Sequence, residues 1–293
     1  MSTPLRILIS GQHGQVSQAL QQSLKDLGEL IVLGRDRLDL SQPESIRAVV
    51  REIKPDLIIN AAAHTAVDQA QSEPELALAI NGTSPGIFAE EAAALGIPFI
   101  HYSTDYVFDG SKDGMWNEAD APNPLGVYGS SKLAGEQAIA AAGGQYLVLR
   151  TSWVYSLTGR NFLLTMQRLL QEREKLSIVA DQIGAPTWAG TIAQSTRELI
   201  ERWRDGTPGA WGVYHLTASG QTSWFGFAQA IGEQLTKAGK PCAILEPIPS
   251  SAYPTPALRP LNSRLDCSLL QRQWGVTQPD WHDALLECLA QQR

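Results

Sequence analysis

Five short apolar runs punctuate the first half of the chain: Arg6–Ser10, Leu30–Leu33, Asp56–Ala61, Pro98–Ser103 and Tyr146–Thr151. Each reads as a buried strand. Between them lie stretches with helical spacing, Gln15–Leu27, Glu44–Ile53, Glu75–Leu95 and Val127–Ala142, often opened by Ser, Asp or Pro. Strand, helix, strand in this rhythm predicts a parallel sheet covered on both faces, because a parallel pair needs a crossover and helices supply it. The rhythm loosens after Thr151, where helical stretches such as Phe162–Arg173 and Thr191–Trp203 alternate with short pieces at Lys175–Val179 and Val213–Leu216. The proline-dense segment from Glu246 to Pro260 cannot be regular helix or central strand, since its prolines lack ladder donors and restrict their neighbours. An ordered loop over a pocket and a flexible linker are the two readings of it.

With 293 residues the chain has ample length for a large core. A formal net charge of −7 argues against a nucleic-acid polymer as partner, because phosphate contacts need clustered Lys and Arg. Three cysteines without a CxxC pair indicate neither a disulfide framework nor a cysteine metal site, and a reducing, cytoplasmic setting is expected. No apolar run reaches bilayer length, so no membrane partner is expected either.

The first strand runs directly into Gly11-Gln-His-Gly14-Gln-Val-Ser17. Gly11 permits a tight turn, Gly14 lets backbone approach a pyrophosphate, and the following helix offers free N–H groups and a positive dipole end. The spacing is G-x-x-G-x-x-S rather than G-x-G-x-x-G; an ordinary strand-to-helix turn is the competing reading, and the position in the first βαβ unit favours a dinucleotide. After the second strand stands Arg35, a cation suited to a 2′-phosphate, which favours NADPH over NADH; a solvated loop cation is the alternative.

Tyr128-Gly-Ser-Ser-Lys132 places a phenol and an ammonium four residues apart at an expected helix start, about 5–6 Å apart at the Cβ level. A cation beside a phenol of ordinary pKa about 10 favours the phenolate and eases proton exchange. Ser103-Thr104-Asp105 ends the fourth expected strand, on the edge where doubly wound sheets bind ligands, so Thr104 is placed to polarise a carbonyl. Alone, Y-x-x-x-K is common on solvated helices; the glycine turn and the strand-end hydroxyl give it weight.

The order of these motifs resembles the extended short-chain dehydrogenase/reductases. Longer strings narrow the resemblance to the dTDP-4-dehydrorhamnose reductases: Asn60-Ala-Ala-Ala-His64-Thr65-Ala-Val-Asp68, His101-Tyr-Ser-Thr-Asp105-Tyr-Val-Phe108, Lys132-Leu-Ala-Gly-Glu136, Arg150-Thr-Ser-Trp153-Val-Tyr155, Asp181-Gln-x-Gly184-Ala-Pro-Thr187, Tyr214-His-Leu216, and Tyr253 through Ser263. The resemblance covers nearly the whole chain. It implies an α/β architecture, a Rossmann-type doubly wound parallel sheet with a smaller C-terminal α/β substrate-binding domain. Residues 1–152 form the dinucleotide-binding part, with returning segments near 175–180 and 213–216, and 153–293 form mainly the substrate-binding part.

The implied reaction is reduction of the C4 keto group of dTDP-4-dehydro-6-deoxy-L-mannose to dTDP-L-rhamnose with NADPH or NADH, Tyr128 giving the proton and Thr104 and Lys132 assisting. The resemblance implies cofactor contacts at Gly14, Gln15, Val16, Asp39, Leu40, Ala63, His64 and Thr65, with Tyr128 and Lys132 shared between cofactor and chemistry; Gly11 and Arg35 join them from the reading of the turn and the second strand. It implies substrate contacts at Thr104, Asp105, Trp153 and Arg259, with Arg264 and Trp224 as weaker candidates. Core packing is the competing reading of both tryptophans, and a cap or surface ion pair that of Arg259.

His64, His101 and His215 are scattered beside apolar strands and read as structural rather than as a metal site. Some relatives are credited with a metal held by glutamates at a dimer contact; the matching positions, Ala19 and Gly190, carry no carboxylate, which counts against a metal-bridged dimer and leaves other homodimers open. Two other kinds of protein, enzymes of different outcome and a non-catalytic partner, use the same scaffold. One is a nucleotide-sugar epimerase or a ketoreductase of opposite C4 stereochemistry. The other is a regulatory subunit such as the β subunit of methionine adenosyltransferase, against which the intact Thr104, Tyr128 and Lys132 speak.

Overall fold

The computed structural model describes residues 4–292. Strands β1 (Leu5–Ser10), β2 (Gly28–Leu33), β3 (Leu57–Asn60), β4 (Phe99–Thr104) and β5 (Tyr146–Thr151) join Gly212–His215 in one six-stranded sheet, ordered 212–215, β5, β4, β3, β1, β2. Every pairing in it is parallel. The doubly wound α/β expectation holds, with strand limits within two residues of those expected.

Alternation along the strands divides the core in two. Ile7, Ile9, Leu57, Ile59, Leu147 and Leu149 pack against Leu20 of helix α1 (Gln15–Ser23), against Leu24 just past its end, and against Ile192 and Leu199 of the helix Ala189–Arg204. Leu8, Ile58, Phe99 and Val148 face the other way, onto helix α2 (Pro43–Ile53) and the helices Ser84–Leu95 and Val127–Ala142. A period of two along each strand is what lets both faces be apolar and covered. Each fully buried aliphatic side chain contributes about 1.5–3 kcal/mol.

The run expected as one helix from Glu75 to Leu95 is interrupted. Pro74–Leu78 is α-helical, Ala79–Thr83 widens into a π turn, and Ser84–Leu95 resumes α geometry. Apolar spacing does not register such a bulge, which inserts one residue without changing composition. Its effect is to turn Asn81 inward, fully buried.

A third core of Tyr155, Leu163, Met166, Phe227, Ile231, Leu285 and Cys288 underlies the C-terminal half. There Lys175–Val179 pairs in parallel with Ile244–Ile248 as a separate two-stranded sheet. This corrects one expectation: Gly212–His215 returns to the large sheet beside β5, whereas Lys175–Val179 does not. Lys175-Leu-Ser-Ile-Val179 carries exposed polar residues at alternate positions, which suits a partly solvated strand, and its partner Ile244–Ile248 lies in the smaller half. Among the described residues no helix is long and apolar enough to cross a membrane.

The helix Val127–Ala142 is set close against the π turn, and Gly135 is the point of approach. A methyl group there would lie 2.2 Å from the Asn81 carbonyl oxygen. Overpacking of this kind costs about 1–3 kcal/mol, so Gly135→Ala is expected to lower the free energy of unfolding by that much, read as a lower urea midpoint, although alanine is the better helix former. An unchanged midpoint would mean that the two helices have room to part.

Candidate active site

The sheet order reverses between β1 and β3, and an open crevice at the carboxyl ends of two such strands is where doubly wound sheets bind ligands. Here it is a cleft of about 720 Å³. Gly11 turns at φ +89°, a left-handed value, and a Cβ there would come within 3.0 Å of Ala62. Gly14 precedes α1 without any side-chain cap, which leaves the first N–H groups of the helix open to the cleft. A Cβ on Gly14 would stand 3.3 Å from the Gly11 carbonyl oxygen, in the space where the backbone meets a ligand. A bare helix N-terminus in a cradle kept free of side chains fits a dinucleotide pyrophosphate.

Gln15 opens α1 but its side chain is engaged elsewhere. Its Oε1 accepts from Ser156 Oγ at 3.0 Å and from Asn161 Nδ2 at 2.7 Å, which pins the loop between them over the glycine turn. Gly159 and Arg160 of that loop line the cleft. Arg35 stands at the mouth, with 75% of its side chain exposed and its Nε 3.6 Å from an Asp39 carboxylate oxygen. The Asp39 carboxyl is held below its usual range by the backbone N–H and hydroxyl of Ser41, with Arg35 adding to this.

Thr104, Asp105, Tyr128 and Lys132 converge on the same cleft. The helix carrying the last two starts at Val127, whose N–H donates to Gln71 Oε1 at 2.7 Å, a cap borrowed from a distant residue because Gly126 offers none. Gly129 lets this first turn close on Tyr106, where a Cβ would be 2.1 Å from the Tyr106 carbonyl oxygen. Tyr106 itself meets Tyr128 edge-on, ring centroids 5.4 Å apart.

Burial raises the Tyr128 phenol to about 12, with the Thr104 hydroxyl acting in the opposite sense. Burial lowers the Lys132 ammonium to about 8, with Glu136 opposing. This revises the expectation that Lys132 brings the phenol down. The ammonium is 1% exposed and donates to the Tyr102 carbonyl at 2.6 Å, with the His101 ring on its other side, so loss of water decides the phenol's state. A phenol kept protonated is the form that a proton donor needs. Thr104 Oγ1 donates to Asp105 Oδ1 at 3.0 Å and accepts from the Tyr106 N–H at 3.2 Å. Asp105 is pushed up to about 6 by burial, and its Oδ2 has no hydrogen-bond partner.

Beneath these residues lies a buried ion pair. The Glu136 carboxylate accepts from Arg150 Nη2 at 2.6 Å and from Ser103 Oγ at 2.5 Å, and both charged side chains are about 95% buried. Arg150 also stacks over the Phe108 ring at 5.1 Å and faces His215 Nε2 at 3.5 Å. Burial, with Arg150 next, lowers His215 to about 3, so it is a neutral ring and donates through Nδ1 to the Trp116 carbonyl at 3.1 Å.

Of the other expected contacts, Val16, Ala63, Thr65 and Trp153 line the cleft. Trp153 takes φ +49° and stacks on Trp224 at 3.7 Å, so Trp224 supports it from behind. Asp39, Leu40, His64 and Arg259 are not part of the wall. Leu40 is buried in the core and its carbonyl accepts from Ser84 Oγ. The His64 backbone is locked by the Asn81 side chain, which accepts its N–H at 2.8 Å and donates to its carbonyl at 3.0 Å. Arg259 pairs with both carboxylate oxygens of Asp68, at 3.2 and 2.9 Å, and so docks the proline-rich loop on the first half. Arg264 braces Asn262 and the Asp113 carbonyl. Among the described residues no group of three or more His, Cys, Asp or Glu is arranged to hold a metal ion.

Tyr106, Asn81 and Arg160 belong to the site region, yet spacing alone does not single them out. The one local signal is Asn81 itself, a polar residue directly after the apolar run Leu76–Ile80.

The sequence model described as the RmlD substrate binding domain matches residues 5–293. The dTDP-4-dehydrorhamnose reductase of Burkholderia thailandensis is 47% identical over 292 residues, covering 97% of this chain and 98% of that protein. The enzyme of the same name from Escherichia coli K12 is 48% identical over 283 residues, 94% of each chain. The crystal structure of the Bacillus anthracis dTDP-4-dehydrorhamnose reductase in complex with NADP superposes with a TM-score of 0.90 at 33% identity, covering 99% of this chain and 100% of that one. On the strength of these matches and of the cleft that Thr104, Tyr128 and Lys132 share with the glycine turn, this chain belongs to the dTDP-4-dehydrorhamnose reductase family.

Proposed function

We propose that this chain reduces the C4 keto group of dTDP-4-dehydro-6-deoxy-L-mannose to give dTDP-L-rhamnose, with NADPH as the preferred reductant. The observation that carries the reading is the convergence of Thr104, Tyr128 and Lys132 on the one cleft that the glycine turn opens. We assign residues 1–152, with Gly212–His215 returned to them, to cofactor binding and 153–293 mainly to the sugar nucleotide. A cytoplasmic setting belongs to the same reading, since Cys242, Cys267 and Cys288 are free thiols.

The Gly11–Val16 turn and the first N–H groups of α1 hold the pyrophosphate, and Arg35 holds a 2′-phosphate at the mouth. NADPH, when bound, supplies the hydride that C4 receives. The Thr104 hydroxyl turns from Asp105 to the substrate oxygen, and Tyr128 donates its proton there as negative charge develops, an interaction that strengthens towards the transition state. Lys132 lies one helical turn on, where its charge stabilises the phenolate left behind. The unpartnered Asp105 Oδ2 suits a sugar hydroxyl, and Trp153, with its ring braced by Trp224, offers the sugar an apolar wall.

The direct test mixes purified protein, NADPH and the keto sugar, follows absorbance at about 340 nm, and identifies the product by NMR. Stoichiometric oxidation with formation of dTDP-L-rhamnose is expected; binding of cofactor without oxidation would overturn the reading. Removing the proton donor by Tyr128→Phe is expected to reduce kcat by about 10²–10⁴-fold, the usual worth of general acid catalysis, while the NADPH Kd changes little. Retained turnover would take the proton-donor role from Tyr128. For Arg35→Ala we expect a loss of NADPH affinity of about tenfold, equivalent to about 1.4 kcal/mol, with NADH affinity unchanged. An equal loss for both cofactors would remove Arg35 from the 2′-phosphate.

A further inference from the structure

His101 is a buried titratable side chain to which the reaction above gives no task. It lies on β4 at 1% exposure, with Nε2 3.1 Å from Lys132 Nζ and Nδ1 3.1 Å from Asn60 Nδ2. Asn60 ends β3, and its Oδ1 accepts from Ser10 Oγ at 2.5 Å and from the Ala62 N–H at 3.3 Å. Four side chains therefore run in series from Ser10, beside the glycine turn, to the lysine beside Tyr128.

Counting protons along this series gives two patterns in which the Asn60–His101 and His101–Lys132 contacts each match one donor to one acceptor. Burial and the Lys132 charge hold the imidazole well below its usual range, so it is neutral and carries one N–H. With the Asn60 amide nitrogen towards it, Nδ1 must be the acceptor, and the ring proton sits on Nε2 facing Lys132. An ammonium has donors only, so this pattern is satisfied by the neutral amine, which accepts from Nε2–H and donates to the Tyr102 carbonyl at 2.6 Å. In the second pattern the Asn60 amide is turned over. Its Oδ1 then accepts from Nδ1–H, Nε2 accepts from the ammonium, and Asn60 Nδ2 donates to Ser10 Oγ, which also keeps the Ala62 N–H at 3.3 Å. Heavy atoms stay in place between the two, since an amide flip and a tautomer change move only protons and exchange O for N.

We propose that His101 is a positioning residue for Lys132, a neutral imidazole that changes tautomer, with Asn60 turning to match, so that Nζ keeps its place against β4 both charged and uncharged. The inference deepens the role given to Lys132 above and rests on that reading for its catalytic consequence. The groups that face the pair are few. The helix Val127–Ala142 presents the Tyr128 phenol and, one turn beyond Lys132, the Glu136 carboxylate, which is paired with Arg150 of β5. From β5 the residue opposite His101 is the apolar Val148, and on β4 the Phe99 ring stacks against the imidazole at 6.1 Å. Lys132, lowered to about 8 by burial, is thus the group whose protonation the tautomer follows.

The test reads the imidazole directly. Protein labelled with ¹⁵N-histidine is titrated from about pH 6 to about pH 10, a range spanning ordinary imidazole and lysine titrations, and the His101 signals are identified by their loss in His101→Gln. The Nδ1–H tautomer is expected on the acid side of about pH 8 and the Nε2–H tautomer on the alkaline side, with no imidazolium. A single tautomer throughout, or a protonated ring, would overturn the proposal. This readout needs no turnover, so it stands apart from failure of the reductase reading. As the kinetic counterpart, the alkaline limb of kcat/KM is compared in His101→Leu and His101→Gln. Leucine, which cannot accept from the ammonium, is expected to move the limb down by about one pH unit. Glutamine, whose carbonyl accepts from Lys132 while its amide meets Asn60, is expected to restore it. A limb that stays put in a folded leucine variant would leave His101 a purely structural residue; should that variant not fold, the glutamine variant and the tautomer titration decide.

Discussion

The buried pair between Glu136 and Arg150 governs much of what surrounds it. Opposite charges held out of water tolerate little misplacement, because breaking such a pair leaves a bare charge and costs about 3–5 kcal/mol. Glu136 comes from the helix that bears Tyr128 and Lys132, Arg150 from β5, and Ser103 from the strand end that bears Thr104. One carboxylate therefore sets the helix against two strands at the level of the reacting groups. The same arginine, through His215 and Trp116, ties in the last strand of the sheet and the loop that follows β4. A wholly apolar contact would bury comparable area but would allow the helix to slide along its axis, and a slide of one residue would rotate Tyr128 out of the cleft.

What the sequence discloses and what it hides follow the same physical division. Local period and local stereochemistry are written in the chain: alternation in β1 and β4, the need for glycine at position 11, and the four-residue interval from Tyr128 to Lys132. Partnerships between distant residues are not. Nothing near Asn60 or Asn81 announces that one will meet His101 and the other His64, since these pairs are made by the sheet order and by a π turn. The placement of Lys175–Val179 was illegible for a like reason, its partner Ile244–Ile248 lying far along the chain. The Tyr128–Lys132 interval was legible while its electrostatics was not, because removal of water dominates both groups and depends on all that packs around them.

Besides the core that the helix Ala189–Arg204 shares with the large sheet, two polar links tie the halves of the molecule together. Gln15 on the first helix holds Ser156 and Asn161, and Asp68 holds Arg259 of the proline-rich loop. The first joins the glycine turn to the loop that lines the cleft, and the second lies outside the cleft wall. A partly exposed ion pair such as Asp68–Arg259 contributes little to stability, so its value lies in fixing where the proline-rich loop sits. Trp153, at φ +49°, stands where the second half begins and lines the same cleft.

The late return of Gly212–His215 to the sheet has a bearing on how the protein is made. During translation β5 has β4 on one side as soon as both have emerged, but its other edge waits for a strand that leaves the ribosome only after the next two long helices have been synthesised. In that interval the nascent chain carries an open, apolar strand edge, with Arg150 on it still short of His215. Such edges are templates for wrong pairing. The finished sheet moves its open edges elsewhere, to β2 and to Gly212–His215, and no longer shows the one that β5 presents during synthesis.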